Sequence, residues 1–345
     1  MDECNPPFEK AYKDLLCDPH APLLDTVSAQ DYDLPLIDAS PLLHKTGQER
    51  ESCVKEIGRA SSEWGFFQVV NHGISGQLLN TIRREQEKLF RLPFDKKEKL
   101  HIFKDSYRWG TPNPKTLEKF SWSEAFHIPL SGISESEEIK SLRYAIEEFT
   151  TKVADLSQKL AEALVENMGI TTRLFAENCT MNSCYLRLNR YPPCPMPLEI
   201  FGLVAHTDSD FLTVLCQDHI GGLQLMKDGM WVTVKPNPDA LIVNVGDLFQ
   251  VLSNNMYKSV EHRVIANKQE RFSVAYFLCP SHDTLITSYK EPSLYKKFTF
   301  CEFQQQVQED VKTIGYKTGL VSFRKSSSSF ELYPNYLGST TSEVS

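Results

Sequence analysis

Cys184-Tyr-Leu-Arg-Leu-Asn-Arg190 begins the stretch that decides the fold of this 345-residue chain. From there to Cys279, short segments rich in β-branched and aromatic residues alternate with turn residues such as Gly221-Gly222. The predicted strands are Cys184–Arg190, Gly202–His206, Leu212–Cys216, Leu223–Met226, Trp231–Val234, Leu241–Val245, Ser259–Ile265 and Phe272–Cys279. About eight closely spaced strands with no helices between them predict a mainly β fold, with a double-stranded β-helix (jelly-roll, cupin-like) core.

Helical patterns flank this region on both sides. The predicted helices cover residues 48–62, Gln77–Leu89, Ser136–Met168 and Cys301–Val311, and short strands are predicted at Leu34–Asp38 and Trp64–Gly73. Residues 101–122 show little periodicity. We therefore expect an N-terminal region (1–180) that packs on the barrel, a jelly-roll core (181–285), a C-terminal helical segment (286–320) and a flexible Ser/Thr-rich tail (321–345).

The composition argues against several classes of function. The net charge is -8, from 37 basic and 45 acidic residues, which is not the footprint of a nucleic-acid-binding domain. No signal peptide and no membrane-spanning run is apparent. The nine cysteines are odd in number and form no CxxC pair, as expected for reduced thiols inside the cell. We expect a monomer or weak homo-oligomer in the cytoplasm, with the nucleus as the alternative compartment.

His206, Asp208 and His262 are the candidate metal ligands. His206 and Asp208 are two residues apart, so on an extended strand they point to the same face, and His262 lies in a later strand that must return beside the first. Two imidazoles and one carboxylate are the ligand set of non-haem Fe(II) sites with open positions. The alternative is two unrelated histidines and a turn aspartate.

Arg271 and Ser273 share one face of the last predicted strand. Arginine offers a planar fork for a carboxylate, and serine adds a hydroxyl donor. Asn189 and Tyr191, just before Pro192, are placed to add polar contacts to the same ligand. The alternatives are an edge-strand arginine paired with a surface acid, and an Asn189–Tyr191 pair that only caps its strand.

Together these motifs resemble those of plant 2-oxoglutarate- and iron(II)-dependent dioxygenases over nearly the whole chain. The matching segments are Leu34–Asp38, Trp64–Phe67, Asn71–Gly73, Asn189–Cys194, His206–Asp208, Gly221–Gln224, Asn244–Asp247, His262–Arg263 and Arg271–Ser273. The resemblance implies that His206, Asp208 and His262 bind Fe(II), and that Arg271, Ser273 and Tyr191 bind the distal carboxylate of 2-oxoglutarate, with Asn189 near its keto-acid end. It also implies O2 as a substrate and ascorbate as a reductant.

One departure from the family pattern is the interval between His262 and Arg271, which is one residue shorter than in many relatives. A tighter hairpin at Asn267–Glu270 would absorb the difference.

Within the family, the chain most resembles the gibberellin 2-oxidases that act on C20 gibberellins. The segments that indicate this group are Tyr107–Gly110, Ser121–Pro129 and Leu212–Leu225. The implied reaction is hydroxylation of a diterpenoid acid at C-2, which inactivates the hormone. Its candidate substrate contacts are Tyr107, Arg108, Trp109, Trp122, Phe126, Phe211 and Phe277, with Arg108 or Arg187 as the partner of the substrate carboxylate. For these aromatic residues the alternative is a place in the core.

Two other functions remain open from the sequence. The iron site could serve another plant acid, a flavonoid or an alkaloid. A non-catalytic, cupin-like sensor is the third hypothesis, and the complete set of expected ligands argues against it.

Overall fold

The computed structural model describes residues 3–17, 31–100, 106–131, 133, 137–196 and 200–325. Its strands are β1 (Asp31–Tyr32), β2 (Leu36–Asp38), β3 (Phe66–Val70), β4 (Tyr107–Trp109), β5 (Glu124–Pro129), β6 (Tyr185–Tyr191), β7 (Phe201–His206), β8 (Leu212–Gln217), β9 (Leu223–Lys227), β10 (Met230–Val234), β11 (Leu241–Val245), β12 (His262–Ile265), β13 (Arg271–Leu278), β14 (Leu285–Ile286) and β15 (Phe298–Thr299). One sheet has the order β1-β10-β9-β12-β7, and a second has the order β2-β3-β11-β8-β13-β6-β5-β4. Strands β14 and β15 form a separate pair.

The two large sheets form the predicted jelly-roll core, and the fold class is confirmed. Each of the eight strands predicted between residues 184 and 279 is present, as β6 to β13, and the pairs among them are antiparallel. The largest difference in bounds is at β12, which begins at His262 instead of Ser259. Alternation of apolar and turn residues was therefore sufficient to locate the barrel strands.

One local expectation is wrong, and two strands were not predicted. A helix, α9 (Asp247–Leu252), separates β11 from β12, and six residues are too few to show a helical period in the sequence. Residues 101–122, which show little periodicity, contain β4 and a 3-10 turn at Leu117–Lys119. The next strand, β5, was not predicted either, because five of its six residues are wholly or partly buried and apolar-polar alternation is absent.

In the described part of the chain, nine further helices flank the sheets. They are α1 (Phe8–Ala11), α2 (Lys13–Leu16), α3 (Ser40–His44), α4 (Gln48–Glu63), α5 (Gly76–Phe90), α6 (Phe94–Lys99), α7 (Lys140–Asn167), α8 (Leu174–Asn178) and α10 (Phe300–Ile314). The long helix α7 buries thirteen side chains and packs against α4, α5, β8 and β13. Helix α10 begins with a capping box between Thr299 and Glu302 and ends at Gly315, which adopts the left-handed conformation.

A buried ionic network ties the N-terminal segment to the barrel. Lys97 and Glu124 are both fully buried, and Lys97 Nζ lies 2.5 Å from Glu124 Oε2. The guanidinium of Arg190 lies 2.5 Å from the other carboxylate oxygen of Glu124 and 2.6 Å from Glu270. Lys97 Nζ also donates to the carbonyl of Cys4 over 2.7 Å. Because each charge has an opposite partner, the network is compatible with its burial.

None of the helices in the described part of the chain combines the length and hydropathy needed to cross a membrane. The tail predicted from residue 321 lies, from residue 326 onwards, outside the described residues. Before that point, Gly319–Phe323 forms a 3-10 turn and the N–H of Lys325 donates to the carbonyl of Leu294 over 2.9 Å. The proposed division into four regions stays a prediction.

Candidate functional site

His206, Asp208 and His262 converge at one end of the smaller sheet. His206 ends β7, His262 begins β12, and the two are direct partners across the antiparallel pair. Asp208 follows β7 by two residues, and its carboxylate oxygens lie 3.6 Å from His206 Nε2 and 3.7 Å from His262 Nε2. One donor atom from each side chain can be chosen so that all three lie within 4.8 Å of one another. The structure thus brings together residues 54 positions apart only because β12 returns beside β7.

Both imidazoles are oriented by backbone carbonyls. His206 Nδ1 lies 2.8 Å from the carbonyl of Val204, and His262 Nδ1 lies 3.1 Å from that of Val260. A carbonyl accepts only, so each Nδ1 carries the hydrogen and each Nε2 keeps its lone pair for a metal. Burial, together with the nearby His262, lowers the pKa of His206 to about 3. The ring is therefore neutral at physiological pH, as a metal ligand requires.

The carboxylate of Asp208 is held by two further side chains. Its Oδ2 accepts a hydrogen bond from the Thr213 hydroxyl over 2.6 Å and from the Asn244 amide over 2.8 Å. Burial would raise the pKa of Asp208, but the two imidazoles and these hydrogen bonds outweigh it and lower the pKa to about 2. Asp208 is consequently an anion whose orientation is set before any ligand binds.

A second buried acid, Asp210, completes this arrangement. Burial and the charge of Asp208 raise the pKa of Asp210 well above its usual value. Its Oδ2 lies 2.9 Å from the Thr213 hydroxyl, which also lies 2.6 Å from Asp208 Oδ2. The single hydroxyl of Thr213 therefore bridges the two carboxyl groups.

This donor set fits Fe(II). Two neutral imidazole nitrogens and one carboxylate oxygen on a single face are the ligands of non-haem iron sites, which leave the opposite positions open for substrates. The metal assignment of His206, Asp208 and His262 stays a proposal that rests on this fit.

Arg271 is a buried cation that forms no salt bridge with any described residue. Its side chain is 1% exposed, and its guanidinium lies over the ring of Tyr191, 4.7 Å from the centroid. Nη2 donates to Gln217 Oε1 over 2.8 Å, but Nε and Nη1 have no hydrogen-bond partner in the part of the chain that the structure describes. Leaving buried charged donors unsatisfied is costly, so the site is complementary to an anion. A carboxylate group of 2-oxoglutarate fits this requirement.

A cavity of about 460 Å³ joins Arg271 to the three candidate metal ligands. Its lining alternates along two neighbouring strands, with Tyr185, Arg187, Asn189 and Tyr191 from β6 and Arg271, Ser273, Ala275 and Phe277 from β13. Ser273 faces Asn189, whose amide nitrogen lies 3.3 Å from the Ser273 hydroxyl. The predicted cofactor-binding residues Arg271, Ser273, Tyr191 and Asn189 therefore share one wall of the cavity, and their roles stay proposals.

The opposite end of that wall is aromatic. Tyr185 and Phe277 stack with ring centroids 4.5 Å apart and an interplanar angle of 11°. His127, from β5, stacks on the other side of Tyr185 at 5.6 Å. Val307 and Val311 of α10 complete the lining. This end of the cavity offers flat apolar surface to a ring system, whereas the Arg271 end is polar.

Six of the seven candidate substrate contacts do not line this cavity. Phe277 does, but Tyr107, Arg108, Trp109, Trp122, Phe126 and Phe211 are absent from its lining. Trp109 and Trp122 pack around Phe8, with centroids 5.6 and 4.5 Å from its ring. Arg108 is exposed and donates to the carbonyl of Tyr107.

The other three aromatic candidates have core or polar partners instead. The hydroxyl of Tyr107 contacts Glu124, Phe126 packs on Phe90, and Phe211 packs on Phe175. The rings of Phe126 and Phe211 are fully buried, as expected of core residues.

Several lining residues were not candidates in the sequence. His127, Tyr185 and Val311 were not among the candidates, and Gln217 was missed as the partner of Arg271. Strand pairing could have found His127, since it lies opposite Arg187 in the β5–β6 register. This pairing can be used only once β5 is recognised as a strand.

Between His262 and Arg271, β12 ends at Ile265 and β13 begins at Arg271, and the N–H of Gln269 donates to Asn267 Oδ1 over 3.1 Å within the predicted hairpin segment. The β12–β7 register shifts on both sides of Val264, but the extra residues lie in β7, because β12 pairs with β9 in regular register. From Arg271 onwards, β13 pairs in regular register with β6 and β8 up to the end of the strand. The shortened connection therefore leaves Arg271 and Ser273 facing the cavity.

Comparison with known proteins agrees with this geometry. Residues 178–280 match the model of the 2OG-Fe(II) oxygenase superfamily, and residues 34–145 match that of the non-haem dioxygenase in morphine synthesis N-terminal family. Gibberellin 2-beta-dioxygenase 8 of Arabidopsis thaliana is 52% identical, over 92% of this chain and 98% of its own length. Gibberellin 2-beta-dioxygenase 6 of Oryza sativa subsp. japonica is 51% identical, over 86% of both chains.

A solved structure shares the whole architecture. The crystal structure of JOX2 in complex with 2OG, Fe and JA superposes with a TM-score of 0.74 at 31% identity. The match covers 91% of this chain and 97% of that one.

Proposed function

Because the chain belongs to the 2OG-Fe(II) oxygenase superfamily, we propose that it hydroxylates a gibberellin at C-2 with 2-oxoglutarate and O2 as co-substrates. The observation that carries the proposal is a single cavity lined by His206, Asp208, His262 and Arg271. Among the described residues, Nε and Nη1 of that arginine have no hydrogen-bond partner. Hydroxylation at this position inactivates the hormone, so the enzyme acts in gibberellin catabolism.

Iron, when bound, supplies the oxidation chemistry: one O2 and one 2-oxoglutarate give succinate, CO2 and a hydroxyl group in place of a substrate C–H. The protein's own residues hold and orient the reactants. His206, Asp208 and His262 hold the metal on one side, and Arg271 binds the distal carboxylate of 2-oxoglutarate with the help of Ser273. The aromatic wall excludes water from the reacting centre.

Arg187 is the residue that we propose to bind a carboxylate of the gibberellin. It lies on the cavity wall between Tyr185 and Asn189, and its buried Nε has no hydrogen-bond partner among the residues that the structure describes. The rival candidate, Arg108, is exposed and outside the cavity lining. A guanidinium beside stacked aromatic rings matches the chemistry of a largely apolar ring system that carries a carboxylate.

We propose C20 gibberellins as the substrates. Support comes from two of the three segments by which the chain resembles the C20-acting group. Ser121–Pro129 contributes His127 to the cavity, and Leu212–Leu225 contributes Thr213, Leu215 and Leu223. A difference in these segments would therefore act on the pocket directly.

The test is incubation of the purified enzyme with Fe(II), 2-oxoglutarate, ascorbate and either a C20 or a C19 gibberellin. Mass spectrometry identifies the product, and succinate is measured in parallel. We expect a 2-hydroxylated C20 product formed in step with succinate. Product from the C19 compound alone would contradict the C20 assignment, and no product from either would contradict the gibberellin substrate.

A second substrate class is favoured by one observation. Flavanone 3-dioxygenase 2 of Oryza sativa subsp. japonica is 33% identical over 82% of this chain. Relatives of this chain are therefore named for more than one class of substrate. A small panel of flavanones and plant acids in the same assay separates this alternative from the gibberellin function.

The proposed compartment is the cytoplasm. It is supported by the cysteines, seven of which are buried, because a reducing compartment protects thiols from oxidation. We also propose a monomer or weak homo-oligomer, which size-exclusion chromatography with light scattering would test.

A further inference from the structure

The ammonium of Lys317 contacts the loop that carries two of the three candidate metal ligands. It lies 3.0 Å from the carbonyl of Thr207, 2.7 Å from the hydroxyl of Ser209 and 2.6 Å from Asp247 Oδ2. An ammonium has three N–H donors, so all of them are used here. The side chain of Lys317 is 11% exposed, and the residue is 110 positions away from Thr207 in sequence.

Asp247 joins Lys317 to the same loop from the other side. Its carboxylate accepts from the Thr207 hydroxyl over 3.2 Å, and its backbone N–H donates to the carbonyl of Asp208 over 2.9 Å. Lys317 and Asp247 therefore hold the two successive carbonyl groups of Thr207 and Asp208. These two peptide groups flank Asp208, so their direction sets where its side chain points.

The turn after α10 is what places Lys317. Gly315 ends the helix in the left-handed conformation, with a φ of 81°, and the chain reverses. Asp310 then accepts hydrogen bonds from the N–H of Thr318 over 3.0 Å and from Gln306 Nε2 over 2.7 Å. Helix α10 also contributes Val307 and Val311 to the cavity lining. The segment from α10 to Lys317 therefore contacts both the Thr207–Ser209 loop and the cavity.

We propose that Lys317 is a positioning residue that holds the Thr207–Ser209 loop and helix α10 in the arrangement in which the metal ligands converge. This inference rests on the metal site of the proposed function, but not on the identity of the substrate. Without the ammonium, the carbonyl of Thr207 and the carboxylate of Asp247 would lose their shared donor. The loop would then sample more conformations, and because metal binding would have to order it, the affinity for the metal would fall.

The first test compares Lys317→Met with Lys317→Arg and with Lys312→Met. Lys312 lies on the same helix and is exposed, which makes it a matched control. Metal-free, full-length protein is titrated with Mn(II) in a calorimeter, since Mn(II) takes the same ligands without redox chemistry. We expect about tenfold weaker Mn(II) binding for Lys317→Met, an intermediate value for Lys317→Arg and wild-type affinity for Lys312→Met.

A second variant separates positioning from simple loss of stability. The double variant Lys317→Met/Asp247→Asn removes both charges, so no unpaired carboxylate stays buried. We expect it to bind Mn(II) as weakly as Lys317→Met and to form less hydroxylated gibberellin per succinate than the wild type. Recovery of wild-type affinity in the double variant, or equal affinities of Lys317→Met and Lys312→Met, would overturn the proposal.

The proposed function fails in a different way. If the wild-type enzyme hydroxylated no gibberellin, the gibberellin assignment would be lost, whereas the Mn(II) affinities of the Lys317 variants would still decide the positioning role.

Discussion

The guanidinium of Arg271 donates one hydrogen bond, from Nη2 to Gln217 Oε1 over 2.8 Å. Gln217 ends β8, the neighbour of β13, and lies opposite Ser273 in the register of the two strands. Its amide oxygen therefore reaches only one of the nitrogens of the Arg271 guanidinium. Nε and Nη1 have no hydrogen-bond partner among the described residues, and Arg271 lines the cavity. A neutral amide cannot compensate a buried positive charge, and this deficit is the structural basis for expecting an anionic co-substrate here.

Substitution of Arg271 by Lys is expected to raise the KM for 2-oxoglutarate by at least about tenfold, because one ammonium cannot reproduce a two-pronged carboxylate contact. The effect on kcat should be smaller, since the contact is remote from the reacting carbon. Succinate formation at varied 2-oxoglutarate concentration measures both constants. Arg59→Lys, at an exposed arginine, is the control. An unchanged KM for 2-oxoglutarate in Arg271→Lys would show that Arg271 does not bind the co-substrate.

Arg187→Met is expected to raise the KM for the gibberellin by about tenfold or more, because a buried carboxylate would lose its cation. Substrate-free turnover of 2-oxoglutarate should change little. Arg108→Met is the matched control, as the exposed arginine that the sequence alone could not distinguish from Arg187. If the two variants had the same gibberellin KM, the proposed carboxylate contact would be lost.

The pH dependence of stability should reveal His127. Burial, with the charges of Arg187 and Arg108, lowers the pKa of His127 from 6.5 to about 3. Between these values the unfolded chain binds a proton that the folded protein does not, so the free energy of unfolding decreases as the pH falls below 6.5. At about pH 5 this single group should cost about 2 kcal/mol.

The variant His127→Phe keeps a ring against Tyr185 but cannot take up the proton. We therefore expect a shallower decrease in its free energy of unfolding between about pH 6.5 and pH 5, measured by urea titration of metal-free protein. Parallel pH profiles for the variant and the wild type would show that His127 does not titrate in this way.

Glu124→Gln should destabilise the protein by about 3–5 kcal/mol, because Lys97 and Arg190 would lose the carboxylate between them while staying buried. Urea unfolding provides the measurement. The control Glu63→Gln removes the partner of Arg59 in an exposed ion pair, and it should cost less than about 1 kcal/mol. A similar small loss for Glu124→Gln would mean that the buried network adds little.

The period of two along a strand is a local property, and it made much of the site predictable. Arg271, Ser273 and Phe277 were expected on one face of their strand, and all three line the cavity. The pairing of His206 with His262 was inferred from residue types and required only that the later strand return beside the earlier one. These predictions needed no knowledge of which other segments surround the barrel.

The substrate end was less predictable because it depends on contacts between distant segments. Trp109 and Trp122 are aromatic, as residues that line a ligand pocket often are, yet both pack around Phe8 of the N-terminal segment. His127 lies on the cavity wall because β5 pairs with β6, and its own sequence context is too uniformly buried to show a strand period. An aromatic residue has the same hydrophobicity in a core as in a pocket.

The sequence by itself determined the barrel strands, the three metal-ligand candidates and the candidate carboxylate-binding face of β13, because each follows from residue type and short-range periodicity. Only the tertiary structure decided that Arg187 lines the cavity while Arg108 does not, and that Lys317 contacts the Thr207–Ser209 loop. These depend on strand order and on how α10 folds back onto the barrel, and such long-range packing leaves no periodic signal in the chain.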